Sequence, residues 1–162
     1  MDADMVREFT CAAGNSVPRL PRAMTTTEVD FLSKMILDEV MELMATVHSA
    51  EESKALLRGM IDGARDLPKS QGSGVALIAE QADALVDAYY YSLNAACKVG
   101  VNLSHVFRVV HRANMAKRDP SSGAFIKNAE GKILKPPNWQ APDIAQEIKR
   151  QILEGAWESY DD

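Results

Sequence analysis

Residues 25–48 read TTTEVDFLSKMILDEVMELMATVH, and this stretch decides the fold. Thr25, with Glu28 three residues on, is a capping box, in which each side chain satisfies a backbone N–H of the other at a helix start. Behind it Val29, Leu32, Met35, Ile36, Leu43 and Val47 recur at helical spacing, which predicts a helix over about residues 26–48. Ser49 and Glu52 repeat the capping signal. Leu56, Met60 and Ile61 carry an apolar face on toward Leu67-Pro68, where the helix must stop. Lys69 to Gly74 is polar and glycine-rich, a flexible connection between helices. A long helix is expected over about residues 75–99, stopped by Gly100 as a C′ residue. Asn102 or Ser104 then caps a further helix through about Lys117, ending before Asp119-Pro120.

Residues 121–137 change character. Gly123, Gly131, Pro136 and Pro137 forbid a long helix, while Phe125-Ile126 and Lys132-Ile133-Leu134 suit short extended pieces, so a loop or small hairpin is expected. Pro142 and the spacing of Ile144, Ile148 and Ile152 predict a last helix to about Trp157. Ahead of Thr25 a short helix over about residues 5–12 precedes an irregular Pro18-Arg19-Leu20-Pro21 stretch. Four or five helices with short connections make an all-α bundle. The expected organisation is a single domain over 1–162, with an N-terminal extension (1–24), a basic loop (118–140) and a C-terminal helix (141–158).

At 162 residues the chain suits one globular domain, and its 46% hydrophobic and 25% charged residues argue against disorder or a disulfide scaffold. No apolar run approaches the roughly 18 to 20 residues needed to cross a bilayer, and MDADMVREFT lacks the basic and apolar regions of a leader. A cytoplasmic protein is expected. Cys11 and Cys97 form no metal spacing and read as free, partly buried thiols in a reducing compartment. A net charge of −5 disfavours nucleic acid as a partner, but the charge is unevenly spread. Residues 28–97 carry twelve acids and five bases, and residues 98–135 carry two acids and eight bases, giving −7 and +6.

At about 100° per residue, Glu39 lies within about 60° of Leu32, Met35, Ile36 and Leu43, on the apolar stripe. A glutamate facing a core must be neutralised, paired or bound to a cation. Glu42 stands one turn on, making E-x-x-E, and Asp38 flanks the pair. Glu80, Asp83 and Asp87 at i, i+3, i+7 form a second acidic stripe, and no basic residue lies between Val75 and Cys97 to relieve it. His48, His105 and His111 each lack a glutamate three residues before, which removes the di-iron and di-manganese pattern. All-oxygen donors point to Mg²⁺ or Mn²⁺, and Mg²⁺ works with substrate phosphates. The basic segment is the counterpart such a site needs.

That segment runs VHRANMAKR over residues 110–118 and is followed by Gly131-Lys132-Ile133-Leu134-Lys135-Pro136. The ordered set of E-x-x-E, then E-x-x-D-x-x-x-D, then VHRANMAK leading into GKILKP resembles the all-α nucleoside triphosphate pyrophosphohydrolases. These are the MazG-like and phosphoribosyl-ATP pyrophosphohydrolase-like superfamily, and the likeness is closest to MazG-like dUTP pyrophosphatases. The resemblance implies a helical bundle completed by homo-oligomerisation, as a homodimer or dimer of dimers. It also implies Mg²⁺-dependent cleavage between the α and β phosphates to a monophosphate and pyrophosphate.

Carried onto this chain, Glu39 and Glu42 match the metal-binding E-x-x-E. For the second ligand pair Glu80 and Asp83 fit the motif's text. Counting back without gaps from Gly100 instead places its aspartate at Asp87, with Ala84 where its glutamate belongs. Glu80, Asp83 and Asp87 therefore all stand as metal ligands. Asp38 or Glu80 is the expected acceptor of a water proton. Asn114, Lys117, Lys132 and Lys135 match the phosphate- and nucleotide-contacting end, with Arg112 beside them, and Lys117 and Lys132 would stabilise charge on the departing pyrophosphate. Tyr90 and Tyr91 are candidates for stacking a base. Two further readings stand beside this one: phosphoribosyl-ATP as the substrate, and a non-catalytic helical oligomer with a structural cation.

Overall fold

The computed structural model describes residues 2–129 and 131–157. Six helices follow in order: α1 (Asp2–Ala12), α2 (Thr26–Met44), α3 (Ala50–Asp62), α4 (Gly74–Lys98), α5 (Leu103–Met115) and α6 (Ile144–Glu154). The architecture is all-α, as the periodicity requires, with six helices against the four or five counted for the bundle, and α1, expected over about 5–12, begins at Asp2. Both capping boxes form: Thr25 and Glu28 close α2, and Ser49 and Glu52 close α3. α2 stops at Met44, short of residue 48, and the turn Thr46–Val47–His48 leads into the next cap. Asn102, the first of its two alternatives, caps α5 by accepting from Ser104 N, and Asp143 caps α6. Gly100 takes φ 79°, and Val101 N returns to Ala96 O at 2.9 Å, the C′ geometry expected after α4. Position 158, the last of the expected C-terminal helix, lies outside the described residues.

The chain divides into two compact units. One comprises Met1–Arg19 with Val86–Asp162, and the other Leu20–Leu85. In the first, α5 is the centre, with α1 and α6 packed on it. Ala13 and Val106 are buried there, and so is His111, whose Nε2 lies 3.7 Å from Glu8 Oε2 on α1. Of the residues read as an N-terminal extension, α1 packs on α5 in this unit, while residues 20–24 fall in the other. Buried Gln151 fixes α6 to the start of α5 by a two-way clamp. It accepts from Asn102 N at 2.9 Å and donates to Asn102 O at 3.1 Å. Residues 118–140 form a loop with two isolated antiparallel bridges, Arg118 with Phe125 and Lys127 with Ile133. Phe9 of α1 meets Phe125 edge-on at 5.3 Å, which ties that loop down.

The second unit is organised differently. Gln81 clamps the segment before α2 to α4, accepting from Met24 N at 2.7 Å and donating to Met24 O at 3.2 Å. Its one buried residue is Ser53, whose hydroxyl has no partner. Neither α2 nor α4 buries a residue, and Phe31 and Leu43 are 66% and 70% exposed. Two expectations are corrected here. Glu39 sits on the apolar stripe of α2, but within one chain that stripe faces no core. Cys11 and Cys97 are free, as expected, yet exposed rather than partly buried.

Candidate functional site

The basic end assembles around the C-terminus of α5. Asn114 lies in the last turn, and its Oδ1 accepts from Lys117 Nζ at 2.7 Å. Trp139, from the loop that carries GKILKP, donates its indole N–H to Ala113 O at 2.7 Å, so the loop docks on α5 by a buried-edge hydrogen bond. The ammonium of Lys117 stands 5.5 Å from the centre of that indole ring, and the ammonium of Lys135 stands 4.5 Å from it. Burial, and then the neighbouring Lys135 charge, lower the Lys117 pKa. Two like charges on one ring repel, and cation–π attraction offsets only part of that cost.

Trp139 is the residue that sequence reasoning missed. A tryptophan three residues after Pro136 carries no motif signal, and its role appears only once the loop folds back on α5. Lys132 lies in the turn preceding Lys135, where its backbone pairs with Asn128, and its side chain is exposed. Arg112 lines a cleft of about 460 Å³ with Met5, His105, Arg108, Glu147 and Arg150. There Arg150 donates to Glu147 at 2.8 Å and to His105 Nδ1 at 2.8 Å. The Arg150 bond holds the Glu147 carboxyl at about 2, with a second bond from Gln151.

The acids are placed less compactly. Asp38, Glu39 and Glu42 are exposed on α2, and Asp38 pairs with Lys34 at 2.5 Å. Glu80, on α4, accepts a short hydrogen bond from the Ser70 hydroxyl. The polar connection before α4 closes over it, because Gly72 N donates to Ser70 Oγ at 2.9 Å, and a Cβ at Gly72 would lie 2.8 Å from Glu80 Oε1. A side chain at position 72 would push the Glu80 carboxylate aside. Asp83 and Asp87 are exposed further along α4, and Tyr91 is 71% exposed. Among the described residues, no three His, Cys, Asp or Glu side chains gather closely enough to hold a metal ion. The donors are therefore of the right chemical type for a hard cation, and paired one turn apart, but the pairs do not converge within one chain.

This is an all-helical fold of the MazG type, carrying carboxylate pairs and a lysine cluster. A solved structure of a candidate NTP pyrophosphohydrolase from Exiguobacterium sp. 255-15 has the same fold. It superposes with a TM-score of 0.80 at 24% identity, over 96% of this chain and 98% of that one. The sequence profile of phosphoribosyl-ATP pyrophosphohydrolase matches residues 6–114, more than half of the chain. The chain belongs to that family, within the all-α NTP pyrophosphohydrolases. No curated protein matches it. Among the described residues no helix is long and apolar enough to cross a membrane.

Proposed function

We propose that this chain is a Mg²⁺- or Mn²⁺-dependent nucleoside triphosphate pyrophosphohydrolase. It hydrolyses a (d)NTP, dUTP foremost, between the α and β phosphates, as part of nucleotide-pool cleaning in the cytoplasm. The observation that carries this reading is the pair of ammonium groups, Lys117 and Lys135, held over Trp139 with no carboxylate to neutralise them among the described residues. Family membership points to the same chemistry.

In the reaction, water oxygen bonds to the α phosphorus while the bridging bond to the β phosphate breaks, leaving a monophosphate and pyrophosphate. Lys117, Lys132 and Lys135 bind the phosphates and stabilise the charge that grows on pyrophosphate, and Asn114 orients Lys117. Asp38 or Glu80 accepts the proton of the attacking water. The Ser70 hydroxyl donates to Glu80 and orients that carboxylate. Glu39, Glu42, Asp83 and Asp87, with Glu80, would hold the cation, which when bound neutralises phosphate charge and acidifies water.

Because these acids do not converge in one chain, the reading includes assembly as a homodimer or dimer of dimers. The partner for the uncovered apolar stripes of α2 and α4 is a second copy. Glu39 and Glu42 lie on or beside one of those stripes, so covering it brings further helices to the carboxylates.

A second substrate, phosphoribosyl-ATP, is favoured by the family match and has the same α–β linkage. A panel of (d)NTPs and phosphoribosyl-ATP, with Mg²⁺ and with Mn²⁺, tests both. Stoichiometric monophosphate and pyrophosphate are expected from at least one member. No release from any of them would leave the non-catalytic oligomer as the correct reading.

A further inference from the structure

On the first unit, outside the lysine cluster, α4, the turn into α5 and the segment after α6 enclose a cleft of about 310 Å³. Tyr90, Leu93, Asn94, Cys97, Leu103 and Trp157 are among its walls. Its size is at the small end of small-molecule sites, room for one ring system rather than a whole cofactor. Two aromatic residues flank it, Tyr90 at 69% and Trp157 at 53% exposure, so each has ring surface free for a ligand. Asn94, between them in sequence and half-buried, has no hydrogen-bond partner among the described residues. Its amide offers one donor and one acceptor side by side, the pattern of a base edge.

Trp157 is not a loose terminal residue. Asn102 accepts from Ser104 N with its Oδ1 and donates from Nδ2 to Ala156 O at 3.0 Å, which holds the segment carrying Trp157 against the α4–α5 turn. The same helix face continues toward the acids. At about 100° per residue Asp83, Asp87, Tyr90, Asn94 and Cys97 fall within about 40° of Asp83 on α4. Along the axis Tyr90 is about 5 Å and Asn94 about 10 Å beyond Asp87, at 1.5 Å rise per residue. A sugar bridges a comparable span between a base and its α phosphate.

We infer that this cleft is the nucleobase site, with Tyr90 and Trp157 stacking the base and Asn94 reading its edge. The inference rests on the proposed reaction for its orientation, since Asp87 would hold the metal end of the same nucleotide. The cleft and the reaction nevertheless fail separately.

The direct test is metal-free titration of the full chain with dUMP, dCMP, AMP and ribose 5-phosphate, following the two tryptophan indole N–H resonances, assigned with Trp157→Phe. Saturable shifts of the Trp157 signal with one or more of the nucleotides, and none with ribose 5-phosphate, are expected. Tyr90→Ala should weaken that binding roughly tenfold by loss of stacking, with Tyr90→Phe restoring it. Asn94→Ala should weaken it roughly threefold to tenfold and change the ranking of the bases. Equal shifts with ribose 5-phosphate, no shift with any nucleotide, or unchanged affinity in both alanine variants each overturn the site. Turnover on the nucleotide panel with wild-type KM in both alanine variants would remove the cleft and keep the reaction. Base-dependent binding without any turnover would remove the reaction and keep the cleft.

Discussion

The two units solve the problem of burial in opposite ways. The unit built from both ends of the chain has Val106 and Ala13 inside, His111 and Gln151 buried with partners, and α1 and α6 closed on α5. The unit from Leu20 to Leu85 has good local order, with two complete capping boxes and a glutamine clamp, but its single buried side chain is a serine. Caps contribute about 1 kcal/mol each, whereas a folded unit needs apolar area removed from water. The comparison teaches that the first unit buries apolar side chains, Ala13 and Val106, whereas the second buries none. Of the proposed metal-binding acids, Glu39, Glu42, Glu80 and Asp83 lie in the second unit and Asp87 in the first, which also carries the lysines proposed to hold phosphate.

The largest effects expected are on the exposed unit. Glu39→Gln should lower turnover by about a hundredfold or more, since metal ligation is worth several kcal/mol and 1.36 kcal/mol is tenfold. The helical circular dichroism should be unchanged, and surviving activity would show that Glu39 is not a ligand. Leu43→Glu, alone or with Phe31→Glu, should lower the mass measured by sedimentation to that of smaller assemblies and reduce turnover with it. An unchanged mass would mean that the α2 stripe is not the contact between copies.

In the first unit Val106→Ala should cost about 1–3 kcal/mol in denaturant unfolding while leaving the sedimenting mass as it was. A change in mass here would erase the distinction between the units. Smaller effects concern titration. Glu147 has its pKa at about 2, chiefly through the Arg150 hydrogen bond, below its unfolded value. Its contribution is therefore present above the unfolded pKa of about 4.5 and is lost as pH falls toward about 2. Glu147→Gln should flatten the acid limb of stability in that window. Lys117, lowered by burial and by Lys135, should lose its proton earlier on the alkaline side than an ordinary lysine, with KM rising there. Lys135→Met should move that rise to higher pH, and an unmoved profile would count against Lys117 as a phosphate ligand.

Capping boxes, the C′ glycine and apolar periodicity place five of the six helices to within a few residues, because these signals act over one or two turns. α2 ended early at a turn that no glycine or proline marks, and α3 and α6 ended at Gly63 and Gly155, short of the expected Leu67-Pro68 and Trp157. Asn114, Lys117 and Lys135 were singled out in the sequence, and the structure sets the two ammonium groups over one ring and bonds Asn114 to Lys117. Trp139 was not legible, because its contact with Ala113 spans 26 residues and a loop of no regular form. Glu80 and Ser70 were both in view, yet their bond forms only once the loop before α4 folds back on that helix.

By itself the sequence determined an all-helical chain, two carboxylate pairs at one-turn spacing and a basic segment, since each follows from local periodicity and residue chemistry. Tertiary structure alone decided which apolar stripes find a core. Val106 and α5 find theirs within the chain, while Leu43 and α2 do not, although the two stripes look alike as sequence. Periodicity reports that a helix has an apolar face. What covers that face is set by contacts between distant segments, which bury Val106 and leave Leu43 exposed.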